Sequence, residues 1–232
     1  MSNPPTDRTP SDPLGPEWEA RHRRFLERCW SGHAADPGHD LGHVRRVVAN
    51  ARRLADAEGA QLEIVLPAAW LHDCAVVAKD SPQRALASRQ AGDLAVDYLE
   101  QAGYPGRWIE PIRHTIEAHS FTAGITPESV EARVVQDADR LEALGAIGIV
   151  RVLLVGHHLG RPLHHPEEPI PEQRVADDSA YILDHFYTKL FGLPATMQTA
   201  SGKREAERRV EVMTHFVESL AREVGPVALP TG

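Results

Sequence analysis

The stretch "IVLPAAWLHDCAVVAKDSPQR", residues 64–84, carries the reading of the fold. An apolar helical run, Ile64 to Leu71, ends in His72 and Asp73, a titratable pair at a point where the chain should still be buried. An unpaired buried polar group costs roughly 1–3 kcal/mol and an unpaired buried charge far more. The pair therefore has to meet partners supplied from elsewhere in the chain.

Those partners are sought in a chain that reads as helical throughout. Trp18, His22, Phe25, Leu26 and Cys29 recur at three- and four-residue spacing, as do Val44, Val47, Val48, Ala51, Leu54 and Ala55, and strand-like alternation is nowhere sustained. Ser81 followed by Pro82 reads as a cap with proline at the first helical position, and Gly103 suits the other end of that helix. Thr126 and Pro127 repeat the device and open a helix expected to run to Gly145, where "GAIGIVRVLLVG" continues with small residues that allow close packing. Gly156 to Pro171 reads as a long loop of the kind used for lids and binding segments, with His164 and His165 on a mobile part of it. Two further helices are expected at Asp177–Phe191 and Ser201–Val224. The expectation is an all-α fold of one domain, about seven to nine helices, spanning residues 17–226 between a disordered, proline-rich tail (1–16) and a short tail (227–232).

Composition narrows the function. An apolar fraction of 42% with 25% charged residues, over 232 residues, supports a proper core, and two cysteines far apart in sequence fit neither a disulfide framework nor a zinc pattern. A net charge of −8 argues against a nucleic-acid polymer or an anionic membrane surface as partner, because either wants a basic face. The chain lacks an apolar run of membrane-spanning length and its first residues lack a signal-peptide pattern, so a soluble, cytoplasmic protein is expected.

Four residues form one hypothesis: His43 in "HDLGHVRRV", His72 and Asp73, and Asp139 in "VVQDADRLEAL". Each lies on or beside the apolar side of its helix, and together they could satisfy one another through a divalent cation. A lone histidine on an apolar face is more often a hydrogen-bonded core residue than a ligand. It is the joint pattern over three helices that favours the metal. Two imidazoles and two carboxylates suit Mn, Fe, Co, Ni or Zn better than an all-oxygen cage for Mg or Ca would.

The pattern resembles the HD-domain metal-dependent phosphohydrolases. "HDLGHVRRV", "AAWLHDC", "KDSPQRALAS", "IRHTIEAHSFTAG", "VVQDADRLEALGAIGIVR" and "DHFYTKLFGLPATMQTASGKREAERR" are similar to a bacterial subfamily that includes nucleotide-hydrolysing members, over most of Glu17–Val224. The resemblance implies an all-α HD-domain helical bundle and carries metal-ligand roles onto His43, His72, Asp73 and Asp139, with Asp137 the alternative to Asp139. It implies a divalent metal cofactor, Mn favoured and Mg, Fe, Co, Ni or Zn open. A phosphorylated small molecule is the expected partner, a nucleotide above all, with pyrophosphate release from nucleoside triphosphates the favoured reaction; a homodimer is compatible with it.

Further residues complete the expected site. Lys79 and Arg84 match "KDSPQR" and are candidate phosphate contacts, with Arg151 and Lys189 as further candidates. His39 is a candidate substrate or supporting contact, while Arg140 reads as an ion-pair partner. Asp73, His114 and His119 are the candidate catalytic groups, the histidines as general acid, phosphate donor or ligands of a second ion. His114 and His119 are five positions apart, roughly 140° around a helix, so a single helix cannot point both at one centre unless it ends between them. Two rivals differ in class: a di-iron oxygenase, which needs both of these histidines, and a nucleotide sensor without turnover.

Overall fold

A computed structural model of the chain describes residues 12–31, 40–77 and 86–224; the expected cap Ser81–Pro82 and the tail 227–232 lie outside them. Nine α-helices and no strand occur among the described residues: α1 (Pro16–Trp30), α2 (Leu41–Glu58), α3 (Leu62–Leu71), α4 (Ala87–Ala102), α5 (Ile109–His119), α6 (Val130–Arg140), α7 (Gly145–His158), α8 (Asp184–Thr188) and α9 (Ala200–Val224). Residues 12–15, at the end of the expected tail, make a turn in which the Asp12 carboxylate accepts the Leu14 amide at 2.9 Å. The contacts fall into two compact units, residues 1–139 and 140–232. None of the described helices is long and apolar enough to cross a membrane.

In the N-terminal unit α3 is the central element, packed against α1, α2 and α5. Its residues from Ile64 to Leu71 are all buried, as a helix apolar on every side must be. Fully burying a Val, Leu or Ile contributes on the order of 1.5–3 kcal/mol. Pro67 inside this helix cannot donate to the carbonyl of Glu63, four residues back. The Tyr104 hydroxyl donates to that carbonyl instead, at 2.6 Å, so the proline leaves no orphan acceptor in the core. Around α3, α1 presents Trp18, His22 and Leu26 and α2 presents Val44, Val47, Ala51 and Leu54.

Helix ends correct several expectations. Gly103 does terminate α4, in the left-handed conformation at φ 75°. The helix expected from Thr126 starts at Val130, because Ser129 is the residue that caps it, its hydroxyl accepting the Ala132 amide at 3.1 Å. That helix stops at Arg140, a short 3-10 turn follows over Leu141–Ala143, and Gly145 at φ 71° opens α7 as a separate element.

In the C-terminal unit α9 packs against α7 and the 3-10 segment Leu190–Thr196. Gly148 and Gly156 permit close approach on α7: a Cβ would stand 2.2 Å from the Ala143 carbonyl oxygen at the first and 2.4 Å from Ile182 Cγ1 at the second. The expected helix Asp177–Phe191 shrinks to the five residues of α8. Its first part is taken by a side-chain turn in which Asp177 Oδ1 accepts the Ser179 amide and hydroxyl, a local alternative to helical bonding. The long connection after α7 is pinned at several points. Ile182 and Leu183 donate to the carbonyls of Pro162 and Leu163, the Glu168 carboxylate accepts the amides of residues 172–174, and His165 Nδ1 accepts those of Glu167 and Glu168. Those bonds brace the segment expected as a long loop.

Candidate metal centre

His72 stands at the C-terminal end of α3, still in helical conformation, and Asp73 follows it directly. The helix that is apolar all round thus delivers its two polar residues where its core contacts end. His43 sits in the first turn of α2, whose cap is Asp40; the Asp40 carboxylate accepts the His43 amide at 2.6 Å and fixes the start of that helix. Asp139 lies one residue before the end of α6.

These four meet in space. His72 Nε2 is 3.3 Å from Asp73 Oδ2 and 3.9 Å from Asp139 Oδ1, and His43 Nε2 is 3.7 Å and 3.4 Å from the same two oxygens. Ligand atoms of His43, His72 and Asp73 all lie within 4.8 Å of one another, and Asp139 adds its oxygen from the imidazole side. Ligands held by bonds of about 2.1 Å at angles between 90° and 109° stand roughly 3.0–3.5 Å apart, close to these separations. The imidazoles are almost fully buried, while the side chains of Asp73 and Asp139 are 22% and 29% exposed, so the nitrogens form a floor and the carboxylates an open rim.

The electrostatics agree with a cation site. Burial disfavours the imidazolium of His72, but the carboxylates of Asp73 and Asp139 outweigh it and push the pKa up to about 9. His72 Nδ1 donates to the Ala69 carbonyl at 2.9 Å, leaving Nε2 buried with no hydrogen-bond partner among the described residues. A buried nitrogen left in that state, facing two carboxylates, fits a bound divalent ion.

His119, the last residue of α5, joins from the far side of Asp73. Its Nε2 is 3.8 Å from Asp73 Oδ1, its ring stands edge-on to His72 at 4.9 Å between centroids, and its Nδ1 donates to the Ile116 carbonyl at 2.5 Å. Burial, reinforced by His72, lowers its pKa, so it stays neutral at pH 7. Asp73 therefore offers one oxygen to the His43–His72 pair and the other to His119.

His114, on the opposite side of α5, accepts the Glu128 amide at 3.1 Å and is not brought to the centre. Asp137 is fully buried in α6, whereas Asp139 is the carboxylate that faces the imidazoles. His39, Lys79 and Arg84 lie outside the described residues. Arg140 is not positioned by an ion pair alone: its guanidinium donates to the Thr196 carbonyl. Arg151 and Lys189 belong to the C-terminal unit. Two positioning residues escaped the sequence reading. Gln136 donates to the Ala118 carbonyl at 2.6 Å beside His119, and carries no sequence signal. Asp40 could have been found as an Asx residue just ahead of an apolar periodic run.

Residues 40–144, which hold His43, His72, Asp73, His119 and Asp139, match the HD domain family. An uncharacterised protein of Bacillus subtilis, YpgQ, is 33% identical over 191 residues, covering 81% of this chain and 85% of that one. Among solved structures, a Lactobacillus plantarum protein is 33% identical with a TM-score of 0.64, over 90% of this chain and 96% of that one. An HD-superfamily hydrolase of Bacillus thuringiensis is 32% identical with a TM-score of 0.67, over 88% and 97%. The structure of B. subtilis YpgQ in complex with ADP is 27% identical with a TM-score of 0.66, over 91% and 98%.

Proposed function

Because this chain belongs to the HD-domain hydrolase superfamily, we propose that it is a metal-dependent phosphohydrolase acting on nucleotides, with nucleoside triphosphates cleaved to the monophosphate and pyrophosphate as its reaction. The observation that carries this reading is the buried imidazole pair, His43 and His72, set against Asp73 at the end of α3. The ADP complex of YpgQ supports the nucleotide.

In this reading His43, His72, Asp73 and Asp139 hold one divalent cation, Mn favoured. When bound, such an ion polarises a phosphoryl oxygen and lowers the pKa of its water from about 15.7 towards 7. The residues do the rest. The exposed rim admits the phosphate chain, and Asp73 Oδ1, next to His119, receives the proton as the water oxygen bonds to the α-phosphorus and the bond to the leaving pyrophosphate breaks. Neutral His119, its proton on Nδ1, turns Nε2 towards that oxygen as an acceptor for the proton. Lys79, Arg84 and His39 contact the substrate. A cytoplasmic location is part of the proposal.

The oxygenase alternative is disfavoured because it needs His114 as well as His119, and His114 is engaged by the Glu128 amide. A sensor without turnover would not need the complete set of four ligand residues.

Protein stripped with chelator and assayed against a nucleotide panel should hydrolyse only after a divalent metal is restored, with products identified by phosphorus NMR. His72→Ala and Asp73→Ala should each abolish turnover; full activity in both would sink the assignment.

A further inference from the structure

Helix α1 precedes the family-matching residues 40–144 and supplies none of the ligands described above. From its last turn, however, Trp30 reaches the centre: its indole Nε1 donates to the main-chain carbonyl of Asp73 at 3.1 Å. The sequence brings it there. Trp18, His22, Leu26 and Trp30 recur every four residues, so each lies about 40° further round the helix than the one before. The first three are buried and Trp30 is half-buried, at the edge of the buried face. Ser31 closes the helix behind it, its amide and hydroxyl both donating to the Arg28 carbonyl, at 3.2 Å and 2.8 Å.

The contact falls on the residue whose aim matters most. Asp73 serves imidazoles from three helices, with Oδ2 facing His72 and His43 at 3.3 Å and 3.7 Å and Oδ1 facing His119 at 3.8 Å. So short a side chain takes its direction from the main chain that carries it. The Asp73 carbonyl and the Cys74 amide belong to one planar peptide group. Its N–H donates to the Leu71 carbonyl at 3.0 Å, and its oxygen accepts from Trp30, so the plane is held at one end by α3 and at the other by α1. Cys74 adds a tie to a third helix, its thiol donating to the Ala91 carbonyl of α4 at 3.4 Å.

We propose that Trp30 is a positioning residue of the metal centre: by holding the Asp73–Cys74 peptide group, its indole N–H aims the Asp73 carboxylate at the imidazoles and at the ion they hold. The role rests on the metal-centre reading. Partners that orient metal ligands contribute about 10–100-fold to metal affinity or activity.

The test titrates full-length, chelator-stripped protein calorimetrically with Mn. Trp30→Phe keeps an aromatic ring and removes the donor. It should weaken Mn binding about tenfold and, at saturating Mn, lower kcat with the KM for a nucleoside triphosphate unchanged. Phe25→Leu removes an aromatic contact from the same helix, the stacking of Phe25 on Tyr98 at 4.1 Å between centroids. It should lower the melting temperature and leave Mn affinity and kcat as in the parent, which is how Trp30→Phe would also behave if Trp30 only held α1 in place. A measurement on the parent covers the case of an unfolded Trp30→Phe: the indole N–H resonance of Trp30, assigned through its own connectivities, should shift when zinc is added to stripped protein. Mn affinity in Trp30→Phe equal to the parent's, or an unmoved indole resonance in zinc-loaded parent, overturns the proposal. Failure of the parent to bind any metal overturns the metal-centre reading itself, and the role of Trp30 falls with it.

Discussion

His72 donates its Nδ1 proton to the carbonyl of Ala69, 2.9 Å away and one turn back along α3, so the helix that buries this imidazole also decides which nitrogen it offers. Asp73 and Asp139 then hold the ring protonated, with a pKa pushed up to about 9, until a cation replaces that proton. Metal binding at pH 8 should therefore release close to one proton, and apparent affinity should fall about tenfold per pH unit as the pH drops below 9. Calorimetry in buffers of different ionisation heat measures the release. Proton-neutral binding would count against His72 as a ligand.

A second histidine makes the fold acid-sensitive by the opposite route. Burial holds the pKa of His22 down to about 3, with its Nδ1 beside the Tyr98 hydroxyl at 3.1 Å. The unfolded chain takes up this proton first as pH falls, so the contribution is complete above pH 6.5 and lost progressively between 6.5 and 3. At pH 5 the loss is about 2 kcal/mol. His22→Phe keeps the aromatic packing against Trp18 and should flatten the fall in denaturant stability between pH 7 and pH 5; an unchanged slope would remove His22 as its source.

The C-terminal unit rests on a buried ion pair. Asp184 is fully buried and accepts from both terminal nitrogens of Arg174, at 2.6 Å for the Nη2–Oδ1 contact, and from the Asp177 amide at 2.6 Å. Arg174→Met leaves that carboxylate without its counter-charge and should destabilise by about 3–5 kcal/mol. Combining it with Asp184→Leu should recover much of the loss in urea unfolding. A small effect of the single change would show that water solvates Asp184 adequately.

Gly156→Ala sets helix propensity against packing. Alanine favours a helix by about 1 kcal/mol over glycine, yet the new Cβ would lie 2.4 Å and 2.7 Å from two carbons of Ile182. Overpacking should prevail, with a net loss of about 1–3 kcal/mol. Ile182→Ala in the same chain should relieve it, and a double-mutant cycle by thermal unfolding reads the coupling.

What could be read from the chain was what local chemistry determines. The all-apolar run before His72 marks a buried helix wherever it is placed, and Gly103 ends α4 because a left-handed residue there strains other side chains. The failures lie where several local options compete. Ser129 outbids Thr126 as a cap, and Asp177 turns the chain through its own carboxylate before α8 can start. His119 and not His114 reaches Asp73 because α5 can aim only one of them, and which one depends on how the helix rolls against α3. The pairing of Asp178 with His185 joins α8 to the braced segment before it, and the spacing of those residues alone does not reveal it.

Cys74 directly follows Asp73, yet its thiol is buried and donates to the Ala91 carbonyl at 3.4 Å, with burial pushing its pKa well up. Sulfur is thereby kept protonated and committed to α4 within one residue of the centre. Thiophilic ions such as cadmium gain no thiolate there, and a peroxide meets a thiol of little nucleophilic character. The same packing that fixes the end of α3 thus withholds a thiolate from the centre.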